Sequence, residues 1–337
     1  MSYNIPLIRV AAIAPIHRWL VDRQLDARPF LERSGLGWVS LADLLLPIPV
    51  SGAVRLLVDI ARAEGPDAPY RMARERGGFE IGLIGAAALQ GPTVRDGFRR
   101  LSRQMPLHCT HEVFSVQTDG ANITINDGWT LSLGDDEVLH YVQQYVAALV
   151  DSICSVATGR APSVTRVGMV PHPQLGVSHL RPWLGDRVVG RADRLLDILV
   201  DSDVADLAMP EHIREKADSR FVGKVAPLNV GNSLSGDVAT LVASMMSHQK
   251  PTVDALAATA GMSARTFRRR LSEEGTCFSD ILERTRALIA LNSLQTPNPP
   301  LLRDLASELG YANQETLTRA MQRWAGHTPT AIKAMQK

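Results

Sequence analysis

Apolar residues recur along the chain with two different periods, and the switch between them separates helix from strand. Near the start, Ile13, Ile16, Leu20, Leu25 and Leu31 return every three to six residues, a loose helical spacing. Ser40 is placed to cap a short helix with Asp43 in its first turn, and Pro47 and Pro49 are expected to break the chain after it. Over 51–64, Val54, Leu57, Val58 and Ala61 form an i, i+3, i+4, i+7 stripe that Gly65-Pro66 ends. Period-two alternation appears at 112–117, through Val113, Phe114, Ser115 and Val116, and at 122–126, through Ile123 and Ile125. Thr118-Asp119-Gly120 between them reads as the turn of a β-hairpin. A long amphipathic helix is predicted over 135–156 from Val138, Leu139, Val142, Val146, Leu149 and Ile153. Strands are expected at 163–170 and 187–189, while 194–200 fits either helix or strand. The stretch 217–236, with Gly223, Pro227, Gly231 and Gly236, has little periodicity and reads as the end of a domain. A helix over 237–247 follows, and the chain is helical again from Pro251.

The helical tail carries a pattern that occurs twice. In the first copy, Thr252 can cap a helix whose buried stripe is Val253, Leu256 and Ala257; Gly261 sits at a turn, where a positive φ costs glycine little. Met262 packs inward, Ser263 caps a second helix, and Phe267 and Leu271 share its inner face. That leaves Arg265, Arg268 and Arg269 facing out, with Thr266 and Arg270 at the margins. In the second copy, Leu302, Leu305, Ala306 and Leu309 precede Gly310, Tyr311 takes the place of Met262, and Asn313 caps. Leu317, Met321 and Trp324 then face inward, leaving Gln314, Glu315, Thr316, Arg319, Gln322 and Arg323 outward. Between the copies, 278–294 is one long helix, and Thr296-Pro297-Asn298-Pro299-Pro300 stops it. Two helix-turn-helix units with outward arginines suit two major grooves, because a guanidinium forks guanine O6 and N7 as well as phosphate.

These residues resemble the DNA-binding domain of the AraC/XylS family of bacterial regulators. The resemblance rests on Asp254-Ala255-Leu256-Ala257 with Gly261-Met262-Ser263-Ala264-Arg265-Thr266-Phe267-Arg268-Arg269-Arg270-Leu271, and then on Asp304-Leu305-Ala306 with Leu309-Gly310-Tyr311. It continues through Leu317-Thr318-Arg319-Ala320-Met321-Gln322-Arg323-Trp324 and Gly326-His327-Thr328-Pro329. It implies two recognition helices in successive major grooves, about 34 Å apart. By position, Arg265, Arg268, Arg269, Glu315, Thr316 and Arg319 match base-reading or groove-lining sites of the family. Met321 and Leu317 stand where the family commonly has phenylalanine, and Gln322 where lysine is frequent. The first part of the chain is similar to the ligand-sensing domain of the ornithine-utilisation-regulator branch, called arabinose-binding-like. It matches at 31–36, at Gly82-Leu83-Ile84-Gly85, at Thr93-Val94-Arg95-Asp96-Gly97-Phe98 and, loosely, at Arg191-Ala192-Asp193-Arg194-Leu195. The fold expected is therefore an α+β N-terminal sensor domain over 1–225, a connector and helix over 226–248, and an all-α DNA-binding domain over 249–337 with two helix-turn-helix units joined by a long linker helix.

Charge and composition sharpen this picture. The 337 residues carry a net charge of +1. The stretch 249–337 holds 12 Lys and Arg against 8 Asp and Glu, leaving 24 against 27 elsewhere. A basic tail on an acidic body fits an anionic partner for the tail. The three cysteines, Cys109, Cys154 and Cys277, are far apart, which argues against a disulfide framework and fits a reducing cytoplasm. No apolar run reaches the ~20 residues that a bilayer requires, and 1–18 lacks the pattern of a signal peptide. No Gly-x-Ser-x-Gly elbow, phosphate loop or zinc-spaced cysteine pair is found, so no enzyme, cofactor or metal is expected. His108, Cys109 and His111 are ligand types, but on an extended strand they point to opposite faces. His172, between two prolines, reads as a loop residue, and Gly77, Gly78, Gly82 and Gly85 as points of close helix packing. The expected function is sequence-specific transcription regulation, as an activator responsive to a small-molecule effector. The alternative is a constitutive regulator whose first domain only dimerises. The expected partners are double-stranded DNA at a bipartite promoter site, RNA polymerase and the effector, in the cytoplasm at the nucleoid, with a homodimer left open. The effector and its pocket are not legible.

Overall fold

The computed structural model describes residues 4–217, 225, 227–228, 233–246, 248–296, 298–325 and 328–329. Gly223, Gly231, Ser247, Pro297, Gly326 and His327 lie outside them. Internal contacts divide the chain into two compact units: an α+β unit of residues 6–37 and 41–228, and a helical unit built mainly from residue 229 onward.

The α+β unit opens with strand β1 (Leu7–Arg9) and helices α1 (Ala14–Asp22) and α2 (Arg28–Arg33). The short helix expected from Ser40 does not form; residues 41–46 are turns. Pro47 and Pro49 lie within strand β2 (Pro47–Pro49), which pairs antiparallel with β1. A two-stranded ribbon is all edge, so prolines that cannot donate to a ladder are tolerated there. Helices α3 (Val50–Glu64), α4 (Ala68–Ala73), α5 (Gly77–Glu80), α6 (Gly82–Leu89) and α7 (Val94–His108) follow. Gly65 ends α3 at φ 112°, as its Gly-Pro signal predicts. The four glycines from Gly77 to Gly85 do serve packing: a Cβ on Gly77 would meet Leu149 at 2.6 Å, and one on Gly85 would meet the Gly78 carbonyl oxygen at 2.2 Å. Gly97 lets α7 cross α6 so closely that a Cβ there would lie 2.3 Å from the Ala88 carbonyl oxygen.

The hairpin forms as β3 (Glu112–Asp119) and β4 (Asn122–Trp129), with Asp119 opposite Asn122 and Gly120 at φ 59° in the turn. The unit continues with α8 (Asp136–Thr158), β5 (Arg166–Met169), α9 (Arg181–Leu184), β6 (Val188–Gly190), β7 (Leu196–Val200), α10 (Ser202–Ala205) and α11 (Glu211–Lys216). The ambiguous stretch at 194–200 is thus strand β7, and it is central in the order β3-β4-β7-β5-β6. All pairs are antiparallel except β5 with β6. His108 is the last residue of α7 and belongs to no strand.

Helix α8 differs from its expectation. It is amphipathic in sequence but buried nearly all round from Leu139 to Cys154. Its polar side chains are consumed internally. Asp151 accepts from the amides of Ser163 (2.6 Å) and Val164 (3.2 Å) and from the Tyr70 hydroxyl (3.1 Å). Gln143 accepts from the Val170 amide at 2.8 Å and donates to the Arg194 carbonyl at 3.1 Å. His140 donates from Nδ1 to the Val170 carbonyl at 2.6 Å. His172 lies in a loop, as expected, and is buried there, its ring packed against those of His140, Tyr141 and His179. Among the described residues, no group of three or more His, Cys, Asp or Glu side chains is placed to hold a metal ion, and no helix is long and apolar enough to cross a membrane.

Two carboxyls stand out on one face of the hairpin, Asp127 buried and Glu112 half-buried. Glu112 lies opposite Trp129, and Asp127 is its diagonal neighbour on β4. Burial pushes Glu112 up to about 7, and burial together with Glu112 pushes Asp127 well above the usual carboxylate range. Neither Asp127 oxygen has a nitrogen or hydroxyl donor among the described residues.

The helical unit comprises α12 (Leu234–Met246), α13 (Val253–Thr259), α14 (Ala264–Glu273), α15 (Phe278–Leu294), α16 (Leu302–Glu308) and α17 (Gln314–Ala325). Helix α12, expected as part of a separate connector, packs on α14 and α15 through buried Leu234, Val238, Leu241, Val242 and Met245. Its free N-terminal amides are satisfied from a distance: Glu274 accepts from Leu234 at 3.0 Å and Ser235 at 2.9 Å. Asp237 in its first turn accepts from the Ile5 amide at 2.8 Å, and burial pushes this carboxyl up to about 6.

Two outcomes follow from this packing. Gly97→Ala forces backbone apart between α6 and α7 and is expected to cost about 1–3 kcal/mol, read as a lowered denaturant midpoint at unchanged slope. The raised carboxyls hold protons in the folded state that the unfolded chain releases from about pH 4 upward. Their stabilising share is present below that pH and is lost as pH rises through about 7. His108, pushed down to about 3, and His140, to about 4, act in the opposite sense below about pH 6.5. Comparison with Glu112→Gln isolates the acid pair: the variant's melting temperature relative to the parent is expected to be higher at pH 8 than at pH 5. A pH-independent difference would show that the pair does not titrate in this window.

Candidate nucleic-acid interface

The first helix-turn-helix is α13, a turn and α14. Thr252 caps α13 by accepting from the Ala255 amide at 3.2 Å. The turn closes with the Gly261 amide donating to the Ala258 carbonyl (3.1 Å) and the Met262 amide to the Ala257 carbonyl (2.9 Å). Gly261 sits at φ 65°, with open space where a Cβ would go, so glycine is required there by conformation and not by crowding. Ser263 caps α14 by accepting from the Thr266 amide at 3.2 Å. Leu256, Ala257, Phe267 and Leu271 form the buried seam.

The second unit, α16 and α17, repeats these bonds. The Gly310 amide donates to the Ser307 carbonyl (3.0 Å), the Tyr311 amide to the Ala306 carbonyl (2.8 Å), and Gly310 lies at φ 72°. Asn313 caps α17 by accepting from the Thr316 amide and hydroxyl, both at 2.9 Å. Tyr311 follows Met262 by 49 positions, whereas Leu317 follows Phe267 by 50. The second turn therefore holds one more residue before its recognition helix. Leu317, Ala320 and Met321 are buried; Trp324 is half-buried against Tyr311, with ring centroids 6.2 Å apart.

The outward faces are not equivalent. On α14, Arg265, Arg268 and Arg269 are exposed, while Thr266 and Arg270 are half-buried. Glu273 takes two of these cations, Arg269 at 2.8 Å and Arg270 at 3.0 Å. Arg265 and Arg268 have no acidic partner among the described residues. On α17, Asn313, Gln314, Glu315, Arg319, Gln322 and Arg323 are exposed and Thr316 is half-buried. Arg319, 50 positions after Arg269, has no such partner either, because Arg323 stands where α14 has Glu273. Arg323 is bound at 2.7 Å to Glu283 of the linker helix α15. Exposed pairs of this kind contribute about 0–1 kcal/mol and can be exchanged for phosphate.

Sequence reasoning missed three contributors. Glu273 was legible, lying three and four positions after Arg270 and Arg269 on one helix. Glu283 and Arg286 were not. Arg286 stacks on Tyr311 at 4.8 Å, and a Cβ on Gly310 would meet its guanidinium at 3.2 Å. On the linker helix, Leu288 is 62% exposed, and Ile281, Thr285, Ala290 and Leu294 are the buried positions.

Paired helix-turn-helix units carrying outward arginines, joined to an α+β unit, define a DNA-binding transcription regulator. A helix-turn-helix family model matches residues 256–335, and the model described as the arabinose-binding domain of AraC transcription regulators, N-terminal, matches residues 25–195. The chain belongs to the AraC family of transcription regulators. It is similar to the HTH-type transcriptional regulator VirS of Mycobacterium tuberculosis, at 26% identity over 327 residues, covering 93% of this chain and 89% of that protein. It also resembles the ornithine utilization regulator of Pseudomonas aeruginosa, at 35% identity over 68 residues, which is 20% of each chain. Among solved structures, the transcriptional regulator CdpR of Pseudomonas aeruginosa aligns over 95% of this chain and 96% of its own, with 14% identity and a TM-score of 0.37.

The two caps organise the N-termini of α14 and α17. Ser263→Ala and Asn313→Ala are each expected to lower the stability of the helical unit by about 1 kcal/mol. Denaturant titration of each variant checks this, and an unchanged midpoint would mean that the caps are dispensable.

Proposed function

We propose that this protein is an effector-responsive transcription activator that reads a bipartite DNA site with α14 and α17. The observation that supports this most directly is the repetition of one turn geometry. It aims the N-termini of two recognition helices outward, each with at least one arginine free of acidic partners among the described residues. Arg265, Arg268 and Arg319 are the base-reading candidates, because an uncommitted guanidinium forks a guanine at no exchange cost. Thr266, Glu315, Thr316, Gln314 and Gln322 line the same faces. Ser263 and Asn313 hold the helix ends, whose amides suit phosphate. Arg269, Arg270 and Arg323 are the phosphate candidates, released from Glu273 and Glu283 when DNA arrives. The α+β unit is the sensor, and RNA polymerase is the partner that an activator recruits. An effector changes DNA binding only if it favours one pose of the reading unit over another.

Selection from a random DNA pool by the full-length protein, at fixed salt, is expected to enrich two short blocks one helical turn apart. Arg268→Ala and Arg319→Ala should each cost about 1–3 kcal/mol of specific binding and relax preference in one block only. Arg323→Ala should weaken all sequences alike and flatten the salt dependence. Loss of preference in neither block would remove Arg268 and Arg319 from the reading surface.

A further inference from the structure

The α+β unit holds a partly open cavity of about 80 Å³ whose wall is almost wholly aliphatic, with Ile13, Ile16, Leu57, Ile84 and Val142 among its residues. One end differs. His108, Glu112 and Trp129 meet there. His108 is 3% exposed, and among the described residues neither its Nδ1 nor the buried Trp129 indole nitrogen has a hydrogen-bond partner. Asp127 stands behind Glu112, and neither of its oxygens has a nitrogen or hydroxyl donor. The one other polar side chain in the wall, Tyr145, is already committed, donating to the Ala12 carbonyl at 2.8 Å. Among the described residues, no lysine or arginine lines the cavity.

Buried polar groups in folded proteins are nearly always partnered, so two unpartnered nitrogens in the wall of a cavity, beside a carboxyl whose hydrogen-bond partner is a second carboxyl, mark a place where something is to bind. We propose that this cavity is the effector site and that it takes a small amphipathic amine, its apolar body against the aliphatic wall and its ammonium against the Glu112–Asp127 pair. The proposal rests on the reading of the α+β unit as a sensor.

Charge selects the class of ligand. The two carboxyls share a proton, and Glu112 releases its own at about 7, which leaves a negative charge in the wall beside the neutral His108 ring and the Cys109 thiol, with the buried Arg9 guanidinium acting on His108 from β1. A cation supplies the missing countercharge. An anion would add to the repulsion in a medium that screens it poorly. A sugar would leave hydroxyls unpaired against aliphatic walls, at a cost for each. The indole N–H offers one further bond to an oxygen on the ligand.

The test is thermal shift and calorimetry of the full-length protein with hexylamine, hexan-1-ol, hexanoate and L-arabinose as probes, on the parent, Glu112→Gln and Ala53→Phe. Glu112→Gln keeps the shape of the side chain, and Ala53→Phe fills the cavity from α3. Hexylamine is expected to raise the melting temperature saturably. Hexanoate and arabinose should not. Glu112→Gln should weaken the amine at least about tenfold, the worth of a charge-assisted hydrogen bond. Binding at pH 6 should also release protons to the buffer. The site is overturned if folded protein shows no saturable response to hexylamine, if hexanoate or arabinose does as well, or if Glu112→Gln binds the amine like the parent. DNA affinity measured alongside separates the two readings. Amine binding that leaves DNA affinity unchanged keeps the site and sinks effector control. A different small molecule that alters DNA binding equally in the parent and in Ala53→Phe keeps effector control and sinks the site.

Discussion

A helix buried on every side has no solvent for its polar groups, and α8 turns that constraint into the frame of the α+β unit. Each polar side chain it carries must find a partner in the elements around it. Asp151 therefore fixes the backbone entering β5 and the hydroxyl of α4, and Gln143 fixes the backbone leaving β5. Leaving any of these unpaired would cost about 1–3 kcal/mol. The same bonds set where β5 enters the sheet, and through it the positions of β7 and of the hairpin. The glycines of α5 and α6 exist because other helices approach α8 and each other at backbone distance.

The helical unit solves a different problem, that of presenting cations without losing them to their own acids. Helix α14 keeps a glutamate four residues after Arg269, and α17 has an arginine at the equivalent place. The result is a division on each helix between tethered guanidiniums and uncommitted ones. A tethered arginine is held in one orientation at little energetic cost and can trade a carboxylate for a phosphate; an uncommitted one is available to a base edge. Glu274, next to the glutamate that tethers, is used instead to cap α12. A residue pair that reads in sequence as two adjacent acids thus acts on two different helices.

The hairpin face carries a third constraint. Its register puts Glu112, Asp127 and Trp129 on one side of β3 and β4, toward apolar surroundings where ionised carboxyls are costly. Their proton sharing, and the partnerless nitrogens of His108 and Trp129, give the unit a polar end within an aliphatic interior.

What the sequence by itself determined lies in local patterns. The hairpin, the α3 stripe and its Gly-Pro stop, both helix-turn-helix units and the caps at Thr252, Ser263 and Asn313 are all read from residues a few positions apart, because turns, caps and helix faces are local chemistry. The exposed arginines of α14 follow from the same periodicity. Tertiary structure decided the rest. The prolines at 47 and 49 become a strand only because β1 lies beside them. The stretch 194–200 becomes a central strand because β4 and β5 flank it. His172 is buried only because α8 brings His140 against it. The tether of Arg323 to Glu283 spans 40 positions, and the meeting of His108, Glu112 and Trp129 joins a helix end to two strands. Such contacts depend on how elements pack, and no spacing along the chain encodes them.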